Sequence, residues 1–249
     1  MTALVRITAS EWRKLRAIPT VWWLLAATLM VTAGATVLAF VVVDLNDIPP
    51  NTGRGLKEGM HSIGVGTTLA EVAGIIAMAG EFRFHQADQT FLSEPRRGRV
   101  VAAKAIVLGL LGIAFGVASA SSAFATAWIW LTVKGPGLPL EQALLWNILG
   151  GAVVSALFFA VLGVAVGAAL RNQVAAIVLV LALQAVVESA IFAASSSVGR
   201  FLPSQAGDAL RQFPAEGLLS VGTAAVVLAG WMAVLLAAGV IRTQRGDIT

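Results

Sequence analysis

The chain has 249 residues, of which 58% are hydrophobic and only 12% charged, and its mean hydropathy is +0.86. A soluble domain carries about 25% charged residues, so this composition excludes an ordinary soluble fold and makes lipid the solvent. No cysteine is present, which excludes disulfides, thiol catalysis and zinc–thiolate sites.

Residues 3–18 predict an amphipathic helix lying in the membrane interface. At about 100° per residue, Leu4, Val5, Ile7, Trp12, Leu15 and Ile18 share one arc. Arg6, Ser10, Arg13, Lys14 and Arg16 share the other, as suits the plane of one leaflet. Glu11 falls on the apolar arc, where it either tips into water or meets a cationic partner. Pro19 opens the turn into the membrane, and Trp22 and Trp23 stand where an aromatic belt is expected. The run from Val21 to Val43 lacks a small-residue cleavage site at the right distance, so a removable signal peptide is not expected.

Six apolar spans are predicted at about 21–43, 60–80, 101–133, 142–170, 173–198 and 217–241. They leave no stretch for a separate soluble domain, so 1–249 reads as one membrane domain. On one side of these spans lie Arg6, Arg13, Lys14, Arg16, Arg83, Arg96, Arg97, Arg99, Lys104, Arg171, Arg242 and Arg245. The other side holds Arg54, Lys57, Lys134, Arg200 and Arg211. The bias places the first side, with both termini, in the cytoplasm. It also accounts for the net charge of +4 and the isoelectric point near 10.3 without nucleic acid.

Loops 44–59 and 134–141 are rich in proline and glycine and read as external turns, while Arg171-Asn172 is a tight link between spans four and five. Spans three and four exceed the ~20 residues a bilayer needs, so they tilt or protrude. Gly112-x-x-x-Gly116 and Gly163-x-x-x-Gly167 offer small faces for close helix packing. Residues 199–216, broken by Pro203 and Pro214, form either a plain external loop or a short helical excursion dipping into the outer leaflet.

Polar residues inside spans recur at helical spacing. His61, Gly64, Thr68 and Glu71 mark a face of span two; Asn147, Gly151 and Ser155 mark one of span four. Gln184, Glu188 and Ser195 mark span five. These faces line a substrate pathway or hydrogen-bond between helices; a carboxylate facing lipid at mid-bilayer would cost about 2.5–3.5 kcal/mol. No Gly-x-x-x-x-Gly-Lys-[Ser/Thr] phosphate loop, His-Glu-x-x-His signature or serine–histidine arrangement is present. His61 and His85 fall on opposite sides of the membrane.

The link after span two carries the strongest local signal. Phe84, Ala87 and Phe91 recur at i, i+3, i+7 with Leu92 beside them, and Pro95 ends the pattern. Glu81 is expected near the positive start of this short amphipathic helix. Arg96, Arg97, Arg99 and Lys104 come next. The segment is an interfacial helix with cationic anchors, or a docking helix that presents aromatic side chains to a cytoplasmic partner.

Several of these stretches carry a resemblance. They are Ser10-Glu11-Trp12-Arg13-Lys14-Leu15-Arg16 with Trp22-Trp23, and Glu81-Phe82-Arg83 through Thr90-Phe91-Leu92-Ser93-Glu94-Pro95-Arg96-Arg97-Gly98-Arg99-Val100 with Lys104. Over essentially its whole length the chain resembles the permease subunit of a type-2 ABC exporter of the actinobacterial style. The familiar Glu-Phe-Arg-His-Gly-Thr pattern is altered here, with Phe84, His85 and Gln86 in its last three positions. The stretch from Val187-Glu188 to Leu202-Pro203 resembles the fifth span and external re-entrant hairpin of such permeases.

The resemblance implies an all-α, six-span membrane protein without a catalytic centre or a cofactor of its own. It implies separate cytoplasmic ATPase subunits that hold ATP and Mg, and a second permease copy or paralogue. It places an ATPase-coupling helix at Glu81, Phe82, Arg83, Phe84, His85, Thr90, Phe91 and Leu92, with the N-terminal helix (Glu11, Trp12, Lys14) beside it. The expected function is export of an amphipathic or hydrophobic substrate across the cytoplasmic membrane, with His61, Thr68, Glu71, Gln184 and Glu188 as candidate pathway residues. The main alternative is a proton- or ion-coupled secondary transporter using Glu71 and Glu188. Weaker ones are an intramembrane enzyme and a membrane immunity or scaffold protein.

Overall fold

The structure, a computed structural model, describes residues 3–83, 97–134 and 142–245. It is nearly all helical, with no strand among the described residues. The amphipathic N-terminal helix is α1 (Ala3–Arg16), and Pro19 at the first helical position opens α2 (Pro19–Leu45), where its missing N–H goes unneeded. A short helix, α3 (Gly53–Gly59), and a 3₁₀ turn (His61–Ile63) lead into α4 (Gly64–Arg83). Two long helices come next, α5 (Arg97–Lys134) and α6 (Gln142–Leu170). Then α7 (Gln173–Ala182), a π-helical segment (Leu183–Glu188) and α8 (Ser189–Ala194) together make the fifth span. After α9 (Ser196–Gly199) and α10 (Pro203–Leu210), α11 (Val221–Arg245) is the sixth.

Among the described residues, six helices are thus long and apolar enough to cross a membrane. The bundle is layered. In α4, α5 and α6, 61% of the most apolar stretch is buried, against 28% in α2 and 17% in both the fifth span and α11. The three central helices are therefore the core, and the others leave most of their surface for lipid or another chain. At ~1.5 Å per residue, the 38 residues of α5 span about 57 Å, well beyond the ~30 Å of hydrocarbon.

Glycine lets the core helices touch backbone to backbone. A Cβ on Gly74 of α4 would stand 2.2 Å from the Ala160 carbonyl oxygen of α6, and one on Gly163 would stand 2.1 Å from that of Glu71. One on Gly112 or Gly116 would meet α6 at 2.5 Å. Both small-residue motifs therefore pack as expected: Gly112 and Gly116 seat α5 on α6, and Gly163 and Gly167 seat α6 on α4. The buried edge of α2 repeats threonine every four residues, at Thr28, Thr32 and Thr36. Thr28 and Thr36 donate to backbone carbonyls one turn back, and Thr36 also meets the Ser62 hydroxyl at 2.6 Å.

The structure departs from the sequence reading in three places. Loop 44–59 is not all turn: α3 forms behind Thr52, whose hydroxyl accepts from the Gly55 N–H, and buries Leu56 in a cluster with Phe40 and Met60. The fifth helix breaks at Ser195, where the backbone turns extended, rather than continuing to 198. The sixth begins at Val221 rather than 217, because Gly217 holds φ +85° and Ser220 hydrogen-bonds the Thr223 N–H as a start signal. Of the two courses left open for residues 199–216, the structure holds the helical one: α10 buries Ala206, Gly207, Ala209 and Leu210 against Phe159 of α6 and Leu228 of α11.

Gly163→Ala should destabilise the protein by about 1–3 kcal/mol through overpacking, read as a lower melting temperature in detergent. Gly34→Ala is the control, because a methyl there meets nothing within 4 Å. Equal melting temperatures would refute the close α4–α6 packing.

Candidate functional site

At the α1 end of the bundle, four charges from three helices meet. Glu11 comes from α1, where Leu15 one turn on also points inward. Glu81 comes from the last turn of α4 and Lys104 from near the start of α5. Lys14 Nζ lies 2.8 Å from Glu11 Oε1 and 3.0 Å from Glu81 Oε1. Lys104 Nζ pairs with Glu11 Oε2, and lies 3.1 Å from Glu81 Oε1. The side chains of Glu11, Glu81 and Lys104 are only 3%, 7% and 4% exposed. Each charge has two counter-charges, the condition under which burial is tolerated.

Glu11 therefore takes the second of its two expected courses and meets cationic partners. Its neighbours set its titration. Burial alone would raise the carboxyl, but the Lys104 and Lys14 ammoniums outweigh it and hold the group below its ordinary 4.5. Burial would likewise lower Lys14, while its bonds to Glu11 and Glu81 raise it above 10.5. Glu81 is not at the start of a separate helix, as expected from the spacing. It lies at the C-terminal end of α4, where the helix dipole disfavours a carboxylate and the two lysines compensate. Phe82 beside it packs on Val100 of α5 and lies beneath the Arg171 guanidinium at 5.3 Å.

Trp12 occupies the outer side of α1. It is 41% exposed and, with Val5, Thr8 and Ala9, faces Ile106, Val107 and Leu110 of α5. Arg83 ends α4. Phe84, His85, Thr90, Phe91 and Leu92 lie outside the described residues.

The candidate pathway residues separate into distinct contacts. Glu71, buried in α4, accepts a 2.7 Å hydrogen bond from the Gln184 amide of the π-helical segment. The wider π turn presents Gln184 to α4 and Glu188 to α10, a local irregularity often found where a helix serves a function. Glu188 accepts from the N–H and hydroxyl of Ser204, at the start of α10. Thr68 is half-buried and bonds back to the Gly64 carbonyl at 3.4 Å. His61 is exposed, with its ring 4.1 Å from that of Phe213. Asn147 is exposed as well, so the proposed face of span four does not hold together. Ser195 is half-buried and pairs with Ser197 rather than with another span.

Sequence reasoning missed the group at the far end of the bundle. Arg211, just past α10, reaches between α4 and α6 and donates to Thr67 and Ser155 at 3.1 Å each, while pairing with Asp208. The i, i+3 spacing of Asp208 and Arg211 is a usable signal for the ion pair. Nothing local marks Thr67 as their neighbour. Lys104 reads in the sequence as a topological anchor; its depth within an apolar run is the sign of a buried partner.

The lowered Glu11 value and raised Lys14 value set a pH window. A depressed acid contributes stability above 4.5 that is lost as pH falls through its lower folded value. A raised base contributes below 10.5 and is lost as pH rises through its higher folded value. A spin label at Arg6→Cys should keep constant mobility from about pH 5 to 10 and loosen only outside that range. Loosening near neutrality would refute the cluster as the anchor of α1.

No curated protein matches the chain. A family model described as ABC-2 family transporter protein matches residues 7–187, a stretch that includes most of α1, the four-charge cluster, the three core helices and the Glu71–Gln184 contact. The chain belongs to this family and is a transmembrane permease subunit of an ABC transporter.

Proposed function

We propose that the chain is the membrane subunit of an ATP-driven exporter. It moves an amphipathic or hydrophobic substrate across the cytoplasmic membrane, powered by separate ATPase subunits that hold ATP and Mg. The observation that carries this reading is the four-charge cluster. It joins the interfacial helix to the end of α4 and the start of α5, the two helices between which residues 84–96 run. A push on that segment would reach α1, α4 and α5 together.

In this reading residues 81–92 are the coupling element and α1 rests beside it. Both termini are cytoplasmic, as the cation bias suggests. Glu71 and Gln184 line the route, where α4 and the π-helical segment meet. The exposed faces of the fifth span and α11 are available to a second permease copy or paralogue.

Topology is tested first. In this cysteine-free chain, Asn51→Cys should react with an impermeant thiol reagent on intact cells and Ser93→Cys should not. The reverse pattern would remove the coupling argument.

Coupling is tested by Phe84→Ala/Phe91→Ala. Truncating aromatic anchors at an interface often costs at least ~2 kcal/mol. The double variant should lose co-purification with a co-expressed ABC ATPase subunit, or keep ATP hydrolysis while losing transport. Normal association together with normal transport would refute the role.

A further inference from the structure

Between α1, the start of α2 and the adjoining ends of α4, α5 and α7 lies a cavity of about 550 Å³. That is within the ~300–1,000 Å³ typical of ligand sites. Leu15, Ile18, Ile76, Ala77 and Leu108 supply apolar lining. The four-charge cluster and the Gln173 amide supply the polar part.

The hydrogen-bonding capacity of this lining is not filled from within. Both oxygens of Glu11 are taken. Glu81 Oε1 receives both lysines, while its Oε2 accepts nothing among the described residues, although the side chain is more than nine-tenths buried. The Gln173 carboxamide also has no partner among the described residues, and it faces the same space. Both groups line the cavity, where a donor carried by a ligand can reach them. The space itself is kept open by Gly80. A Cβ there would meet only Gln173 Oε1, at 3.9 Å. Glycine in a helix costs about 0.5–1 kcal/mol relative to alanine, and packing does not require it here.

The position of the cavity narrows the ligand. Its rim includes Pro19 and Thr20, one turn before Trp23, which is 75% exposed, and Gln173, next to Val174, which is 64% exposed. These are the surfaces that the peripheral spans turn to lipid. The lining joins an apolar part to a polar part of balanced charge, with two carboxylates and two ammoniums. That favours a headgroup that carries both signs and no net charge, attached to hydrocarbon. The free Glu81 oxygen calls for an N–H donor, which a primary ammonium has and a quaternary one lacks.

We propose that this cavity is a binding site for a membrane phospholipid with a phosphoethanolamine headgroup. The ammonium donates to Glu81 Oε2, the phosphate lies toward Lys14 and the Gln173 amide, and the chains run along the apolar lining. The site rests on the interfacial placement of α1 but not on ATP coupling.

The test uses the full chain, delipidated in detergent and titrated with lipid under native mass spectrometry. Phosphatidylethanolamine should bind at one per chain, about tenfold or more tighter than phosphatidylcholine, the effect of one charge-assisted hydrogen bond. Gly80→Leu, which fills the cavity and leaves every charge in place, should abolish that preference. Gln173→Leu, at the other side of the space, should weaken it if Gly80→Leu does not fold. Equal binding of the two lipids, or an unchanged preference in either folded variant, would overturn the site. Binding of free phosphoethanolamine as tight as that of the lipid would overturn the lipid assignment. Because no ATPase is present in the assay, failure here leaves the coupling reading untouched, and failure of coupling leaves this one untouched.

Discussion

Close backbone contact between α4 and α6 is the constraint on which the rest of the molecule depends. In lipid, apolar side chains gain little by leaving their surroundings for one another, so helices associate through fit and through polar contacts. Gly74, Gly163 and Gly167 provide the fit for α4 and α6, and Gly112 and Gly116 extend it to α5. Once those three helices are fixed, both ends of the bundle have defined positions for polar groups. Glu81 and Lys104 face each other at one end because α4 and α5 are registered by the core. Thr67 and Ser155 come together at the other end because α4 and α6 are.

Each end then holds a short helix by polar contacts. At one, Glu11 and Lys14 of α1 complete a cluster that α4 and α5 begin. Removing one partner from such a buried set leaves an uncompensated charge, at about 3–5 kcal/mol. The amphipathic N-terminal helix is therefore a fixed part of the fold. At the other end, α10 is held at both of its termini. Glu188 places a carboxylate on the N–H of Ser204 at its start, where the helix dipole favours negative charge. Arg211 closes its last turn on Asp208 and reaches into the core.

The features that depend on local pattern were legible in the sequence. Six spans, the amphipathic helix and the two glycine motifs come from periodicity and small residues, and they stand in the structure. Boundaries were less so. Ser195 and Gly217 shift the ends of the last two spans through backbone angles that composition does not encode. Polar faces were legible only in part. Glu71, Gln184 and Glu188 are engaged as a buried polar group must be, yet Asn147 points outward. Periodicity says which residues share a face of one helix but not which helix, if any, covers that face. Contacts between distant segments were hardest to see. The partners of Glu11 are 3 and 93 residues away, and those of Arg211 include Thr67 at 144.

The placement of Glu71 and Glu188 bears on how the bundle could move. Both carboxylates make their contacts with elements outside the core: Glu71 with the π-helical segment, Glu188 from that segment to α10. The fifth span is mostly exposed; Ala176 and Val180 pack on Ile75 and Ala79 of α4, and these hydrogen bonds tie the residues after them. A π turn also has longer, less regular hydrogen bonding than an α turn, and a return to α register would rotate α8 and the residues after it. Such a rotation would release Glu188 from Ser204 and free the first turn of α10, while Arg211 still held the last. The α1 end, by contrast, ties three helices through four mutual ion pairs. The two ends therefore differ in kind: one is a rigid joint beside the segment that enters from α4, and the other is a helix held by a few bonds through an irregular turn. Motion that begins at the rigid joint would be felt first where the ties are fewest, along the fifth span and α10.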